Sequence, residues 1–142
     1  CIDDGAVEVY HNNSKKIETT AAGVTVIGTC TATNVVDSKG NVRDINQNTQ
    51  SSAYTLVGGD AGKHILISSG GVTVPGGVYG TGNCVTIVNN SGSDQTITQG
   101  SGITMYNAAD AATGNRTLAG RGMASILFAS GSAAYISGAG LS

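Results

Sequence analysis

Residues 84–106 read CVTIVNNSGSDQTITQGSGITMY, and the spacing inside this stretch decides the fold class. Val85, Ile87 and Ile97 are apolar, with Thr86, Thr96 and Thr98 alternating against them. A side-chain period of two carried by β-branched residues describes strands with one buried face. A helix would space its apolar residues three and four apart, and these do not follow that rhythm. Between the two runs lies Asn89-Asn90-Ser91-Gly92-Ser93-Asp94, whose residues tolerate left-handed or self-bonded backbone. The stretch predicts an antiparallel hairpin, a break at Gly100-Ser101-Gly102 and a third strand over Ile103–Tyr106. No charged, cysteine or histidine cluster accompanies these strands. The sequence predicts architecture rather than chemistry.

The pattern extends on both sides. Upstream, Tyr54–Val57, His64–Ser68 and Val72–Val74 read as strands, separated by the turn Gly58–Lys63 and ended by Pro75, which withholds a ladder donor. Downstream, Arg116–Leu118 adds a short strand, and Met123–Ala129 with Ala133–Ser137 predicts a closing hairpin across Ser130-Gly131-Ser132. Short strands at this spacing predict an antiparallel β-sandwich of about eight to nine strands over residues 53–142. Residues 31–52 predict a hairpin at 35–43, with Gly40 at positive φ, followed by the polar linker 46–52.

Residues 1–30 predict an extended β stem: short strands around the turn Asn12-Asn13-Ser14 and the break at Gly23. Such hairpins are marginal alone in water and need partners. Identical chains around an axis would supply them, with Val7, Val9, Ile17, Val24 and Val26 as the inward residues of an oligomer interface.

Composition narrows the function classes. Charged residues are 11% of the chain, against about 25% in a typical soluble domain. Few charges suit surfaces packed against sister chains, where an unpaired charge is expensive to bury. A net charge of −2 with scattered basic residues predicts no nucleic-acid partner. No apolar run approaches the ~20 residues that cross a bilayer, so no membrane insertion is expected. Three cysteines, Cys1, Cys30 and Cys84, cannot form a fully paired intrachain framework. A chain opening on Cys1 rather than Met reads as processed, or as a piece of a longer one.

Two segments carry a family resemblance. Val7-Glu8-Val9-Tyr10, Asn13-Ser14-Lys15-Lys16, Ile17-Glu18-Thr19-Thr20 and Gly23–Gly28 resemble a module recurring in tailed-phage tail fibres and tailspikes. Tyr54–Val57 with Asp60–Lys63, Gly71–Pro75, Val85–Ile87, Gln95–Thr98, Gly114–Leu118 and Ile136–Gly138 resemble a domain near the ends of phage fibre proteins. Together they cover most of the chain. The resemblance implies intertwined trimeric β-structure in the stem, a structural or adhesive role in a virion and no catalytic residue, while the low charge also fits a chain packed repeatedly into an extracellular filament. Partners it implies are copies of the chain, other virion proteins or a host-surface glycan. A depolymerising tailspike would need the paired carboxylates of a glycosidase, and acidic residues here are too sparse.

His64 with Asp60 and Ser68 invites a hydrolase triad, but no second histidine, nucleophile elbow or oxyanion donor accompanies it. The expectation is a histidine bonded to its turn and a chain that is not an enzyme. Asp60-Ala61-Gly62-Lys63 lacks phosphate-loop spacing and predicts a structural turn, Asp60 capping amides and Gly62 left-handed. Asp3-Asp4 and Asp110 are isolated, and His11 and His64 lack zinc spacing, so neither metal nor cofactor is expected. A metal on an assembly axis would need only one residue per chain and stays open. Among tyrosines that stack on sugars, Tyr79 is the best candidate for a receptor contact ahead of Tyr106 and Tyr135, although a tyrosine that covers a core edge is the stronger reading of the same residue. Fibre component is the leading function; a monomeric carbohydrate-binding adhesin is the alternative.

Overall fold

A computed structural model describes residues 5–42 and 44–142, in which the chain is all-β apart from one 3-10 turn at Gly58–Asp60. Cys1, Asp3, Asp4 and Arg43 lie outside those residues. The chain divides into two units between Val35 and Val36. The expected boundaries at 30 and 52 therefore move: the hairpin and the polar linker belong to the second unit.

The first unit is a meander of β1 (Glu8–His11), β2 (Ser14–Thr20) and β3 (Gly23–Val26), antiparallel in the order β1-β2-β3. Asn12 and Asn13 both take positive φ, as the two-residue turn between β1 and β2 requires.

The second unit opens with the hairpin β4 (Val36–Asp37) and β5 (Gly40–Asn41), where Gly40 has φ +123°. Then come β6 (Gln47–Gln50), β7 (Tyr54–Thr55), β8 (His64–Ile67), β9 (Val72–Val74), β10 (Cys84–Asn89), β11 (Gln95–Gln99), β12 (Thr104–Asn107), β13 (Arg116–Ser130) and β14 (Ala133–Leu141). These nine form one mixed sheet that folds back on itself, compatible with the sandwich expected.

Its internal order differs from the expected hairpins. β6, β8 and β10 stack in parallel, and so do β7, β9 and β11. The chain runs out along one stack, turns over at 51–53, 68–71 or 90–94, and returns along the other. Gln47, His64 and Thr86 are successive neighbours in the first stack; Tyr54, Val72 and Ile97 are successive neighbours in the second. Thus β10 and β11 do not pair. Each pairs with β13 instead: β10 with Met123–Leu127 and β11 with Arg116–Leu118. An irregularity between Leu118 and Met123 lets this 15-residue strand serve both ladders. The expected closing hairpin forms as β13–β14, and β12 pairs in parallel with β14.

Alternation accounts for the core. Ile65, Ile67, Val85, Ile87, Val72, Val74 and Ile97 are all buried, joined by Leu118, Ile126, Phe128 and Ile136 from the last two strands. Each such side chain contributes about 1.5–3 kcal/mol on burial. Two amides sit at the arch 90–94. Asn89 Nδ2 reaches the carbonyls of Ser93, Leu118 and Ala119 at 2.9–3.0 Å, and its Oδ1 accepts from Ser91. Gln95 Oε1 accepts the Gly71 amide at 3.0 Å, linking this arch to the one before it.

Candidate assembly surfaces

The five residues expected at an oligomer interface share one face of the first unit. Val9, Ile17 and Val26 are register partners across β1, β2 and β3. Val7, just before β1, and Val24, in β3, lie two residues from Val9 and Val26 and flank Thr19, so they occupy the same face. All five are exposed, between 38% and 66%. The opposite face is charged: Glu8 and Glu18 are paired in register, and Lys15 Nζ bridges them, 2.8 Å from Glu8 Oε1. Tyr10 donates its hydroxyl to Glu8 Oε2 at 2.7 Å. The Lys15 and Tyr10 hydrogen bonds hold the Glu8 carboxyl below its ordinary range, and the two carboxylates push the Lys15 ammonium upward. The meander is therefore an amphipathic sheet whose apolar face has no cover within its own unit.

The turn expected at Asp60 and Gly62 is present. Gly62 has φ +79°. Asp60 is buried and accepts three bonds: from Asn48 Nδ2 at 2.8 Å, the Tyr54 hydroxyl at 2.9 Å and the Val57 amide at 2.9 Å. A carboxylate with three donors is satisfied where a neutral side chain would not be. Burial first, and the Asp60 hydrogen bond second, raise the Tyr54 phenol.

Tyr79 is not a receptor contact. Only 3% of it is exposed, its ring stacks on Phe128, and its hydroxyl donates to the Val57 carbonyl at 2.7 Å. The glycine-rich loop around it reads as solvent-facing in sequence, but a large apolar ring next to an open core gains more by covering that core. Among the described residues of the second unit the exposed aromatic is Tyr135, which stacks on Tyr106 at 5.4 Å.

His64 is held by the Ile45 carbonyl at 2.9 Å and Gln47 Oε1 at 3.1 Å, from the segment before and within β6 rather than from its own turn. Ser68 Oγ donates to the Gln50 carbonyl. Asp60 is committed to the three donors above, so these residues do not form a relay. Among the described residues no group of three His, Cys, Asp or Glu is placed to hold a metal ion, and no helix is long and apolar enough to cross a membrane. Cys30 and Cys84 are free and exposed.

A second apolar surface went unread in the sequence: the outer face of the β6-β8-β10-β13-β14-β12 part of the large sheet. Register sets its side chains in rows across the strands. One row is Tyr106, Tyr135, Leu127 and Cys84; the next is Ser137, Ser125, Thr86 and His64. A third is Ala139, Met123, Val88 and Leu66. Ile45, His64, Thr86, Val88 and Met123 line a depression of about 330 Å³ on this face. The signal was Ile126-Leu127-Phe128: three apolar residues in succession load both faces of one strand. Compared with protein-family models, curated proteins and solved structures, the chain matches none.

Proposed function

We propose that this chain is a structural, non-enzymatic component of a phage-like fibre, a virion part or extracellular filament, that associates with copies of itself through the valine face of its first unit. The resemblance of residues 5–28 and 54–138 to fibre modules supports the reading. The observation that carries it is the placing of Val7, Val9, Ile17, Val24 and Val26 on one uncovered face, with Glu8, Lys15 and Glu18 on the other. A three-stranded sheet of this size is marginal unless that face is buried. A trimer about an axis beside the valines buries it three times over. Host attachment is the role that the exposed position of such a fibre serves.

Native mass measurement tests the reading. The intact chain is expected as a trimer or larger assembly. Val24→Asp is expected to break the contact made by the first unit, because carboxylates gathered at an axis resist desolvation. A wild-type chain that is monomeric at tens of micromolar sinks the proposal. One observation favours the adhesin alternative in that case: the exposed Tyr135 ring beside Tyr106 suits stacking on a sugar. Glycan binding abolished by Tyr135→Ala in a monomeric chain would establish it.

A further inference from the structure

We propose that the outer face of β8, β10, β13, β14 and β12 is covered by the same face of another copy of this chain. The inference rests on the self-assembling fibre reading and adds to it a second contact, independent of the valine face.

Three properties identify the occupant. The first is charge. The three rows hold no Asp, Glu, Lys or Arg, although a typical soluble surface is about a quarter to a third charged. An acidic, basic or nucleic-acid partner would find nothing to pair with, whereas loss of charged residues marks the core of a protein interface. The second is area. Five strands at ~4.8 Å and three rows at ~6.8 Å span about 24 by 20 Å, on the order of 500 Å² in projection. Side-chain relief brings this toward the ~800 Å² that each partner contributes to a standard interface.

The third is the row pattern. A polar row runs between two rows richer in apolar side chains: Leu127 with Tyr135 on one side, Met123 with Val88 on the other. Met123, Leu127 and Tyr135 are 52%, 51% and 48% exposed. Copies related by an axis parallel to the strands bring each row against its own equivalent at the same height. Leu127 then meets Leu127, Met123 meets Met123, and the Thr86–Ser125 hydroxyl pair, 3.1 Å apart, meets a second such pair. No register adjustment is needed, since polar faces polar and apolar faces apolar.

Cys84 supplies a native reporter, because this free, exposed thiol lies in the Leu127 row. The experiment measures alkylation of Cys84 by N-ethylmaleimide in the intact chain, read by peptide mass so that the other two thiols are scored separately. In the assembled protein Cys84 is expected to react at least about tenfold more slowly than in the urea-unfolded chain, as for a thiol closed off nine-tenths of the time. Leu127→Lys and Met123→Lys are each expected to restore fast alkylation without lowering the melting temperature markedly. Thr117→Lys, exposed on the other part of β13, is expected to change neither quantity. Combined with Val24→Asp, Leu127→Lys is expected to yield a single-chain mass. Fast Cys84 alkylation in a wild-type oligomer overturns this contact and leaves the fibre reading standing. Fast alkylation in a wild-type monomer overturns both. Slow alkylation that persists in both lysine variants assigns the protection to something other than this face, and the inference fails.

Discussion

The ring of Tyr79 lies on that of Phe128, centroids 4.1 Å apart and planes inclined by 23°. Stacking joins the loop after β9 to the last third of β13, and the hydroxyl end is fixed by the Val57 carbonyl. Burial raises the phenol, with the charges of Asp60 and Tyr54 adding to it. A group whose folded pKa lies above its ordinary value of 10.0 stabilises the fold fully below that pH and loses its contribution as pH climbs through the folded value. Tyr79→Phe is expected to cost about 1 kcal/mol at neutral pH through the lost hydrogen bond. It is also expected to flatten the alkaline fall in stability. Urea melts at pH 8 and above pH 10 check both parts, and an unchanged alkaline slope contradicts the second.

Asp60 gives a sharper test of polar satisfaction. Asn48, Tyr54 and the Val57 amide all donate to it, so the site accepts and does not donate. Asp60→Asn preserves shape but turns an NH₂ toward donors. The expected cost is about 1–3 kcal/mol, since buried donors are left without acceptors. A melting temperature equal to the wild type would show that the amide finds a carbonyl by rotation.

Two glycines separate backbone strain from steric conflict. Gly62, at φ +79°, has open space where a Cβ would go. Gly71, at φ +72°, would place that Cβ 2.4 Å from the Thr96 carbonyl oxygen in the adjacent strand. Gly62→Ala is expected to lose about 1–2 kcal/mol from left-handed strain alone. Gly71→Ala carries the same strain plus a further 1–3 kcal/mol or so of overpacking against backbone that cannot move aside. Equal losses in a denaturant series would mean that the 68–71 arch yields.

Glu8 reports on the meander of the first unit. Lys15 chiefly, then Tyr10, holds its carboxyl below 4.5. The stabilisation is present above that value and is lost as pH falls through the lowered one. Because the pair is open to solvent, its energetic effect is small. The titration midpoint is the better readout. Nuclear magnetic resonance titration is expected to place Glu8 below 4.5 in the wild type and to bring it back toward 4.5 in Lys15→Ala.

Alternation at Val85, Ile87 and Ile97 made the buried faces legible, and Gly40 and Gly62 marked turns that the backbone confirms. What sequence could not separate was hairpin from arch. Both need a reversing loop and both keep period two. They differ in whether the flanking strands meet through backbone hydrogen bonds or through side chains. The distinguishing mark was the amide pair at the loop ends, Asn89 and Gln95, placed at inward positions where a hairpin would put apolar residues. Gln47–Gln50 failed for a related reason. An outermost strand can be polar, so composition reads it as linker. Tyr79 left both readings open, because glycine neighbours suggest an open loop while the ring itself had a core to cover, and it is the core that the ring covers.

Among the described residues the two parallel stacks share no ladder except through β13. During synthesis each stack can accumulate strand by strand, yet their apolar faces cannot be sealed until Arg116–Ser130 has been made. At about 5–20 residues per second, the interval between finishing Gln99 and finishing Ser130 is roughly 2–6 s. Through that interval a nascent chain presents two half-built ladders awaiting an antiparallel closing strand. A neighbouring chain's β13 satisfies them as well as its own does. Chains made side by side on one messenger therefore compete with themselves for that strand, and exchange of β13 between them is the misassembly to which this topology is most open.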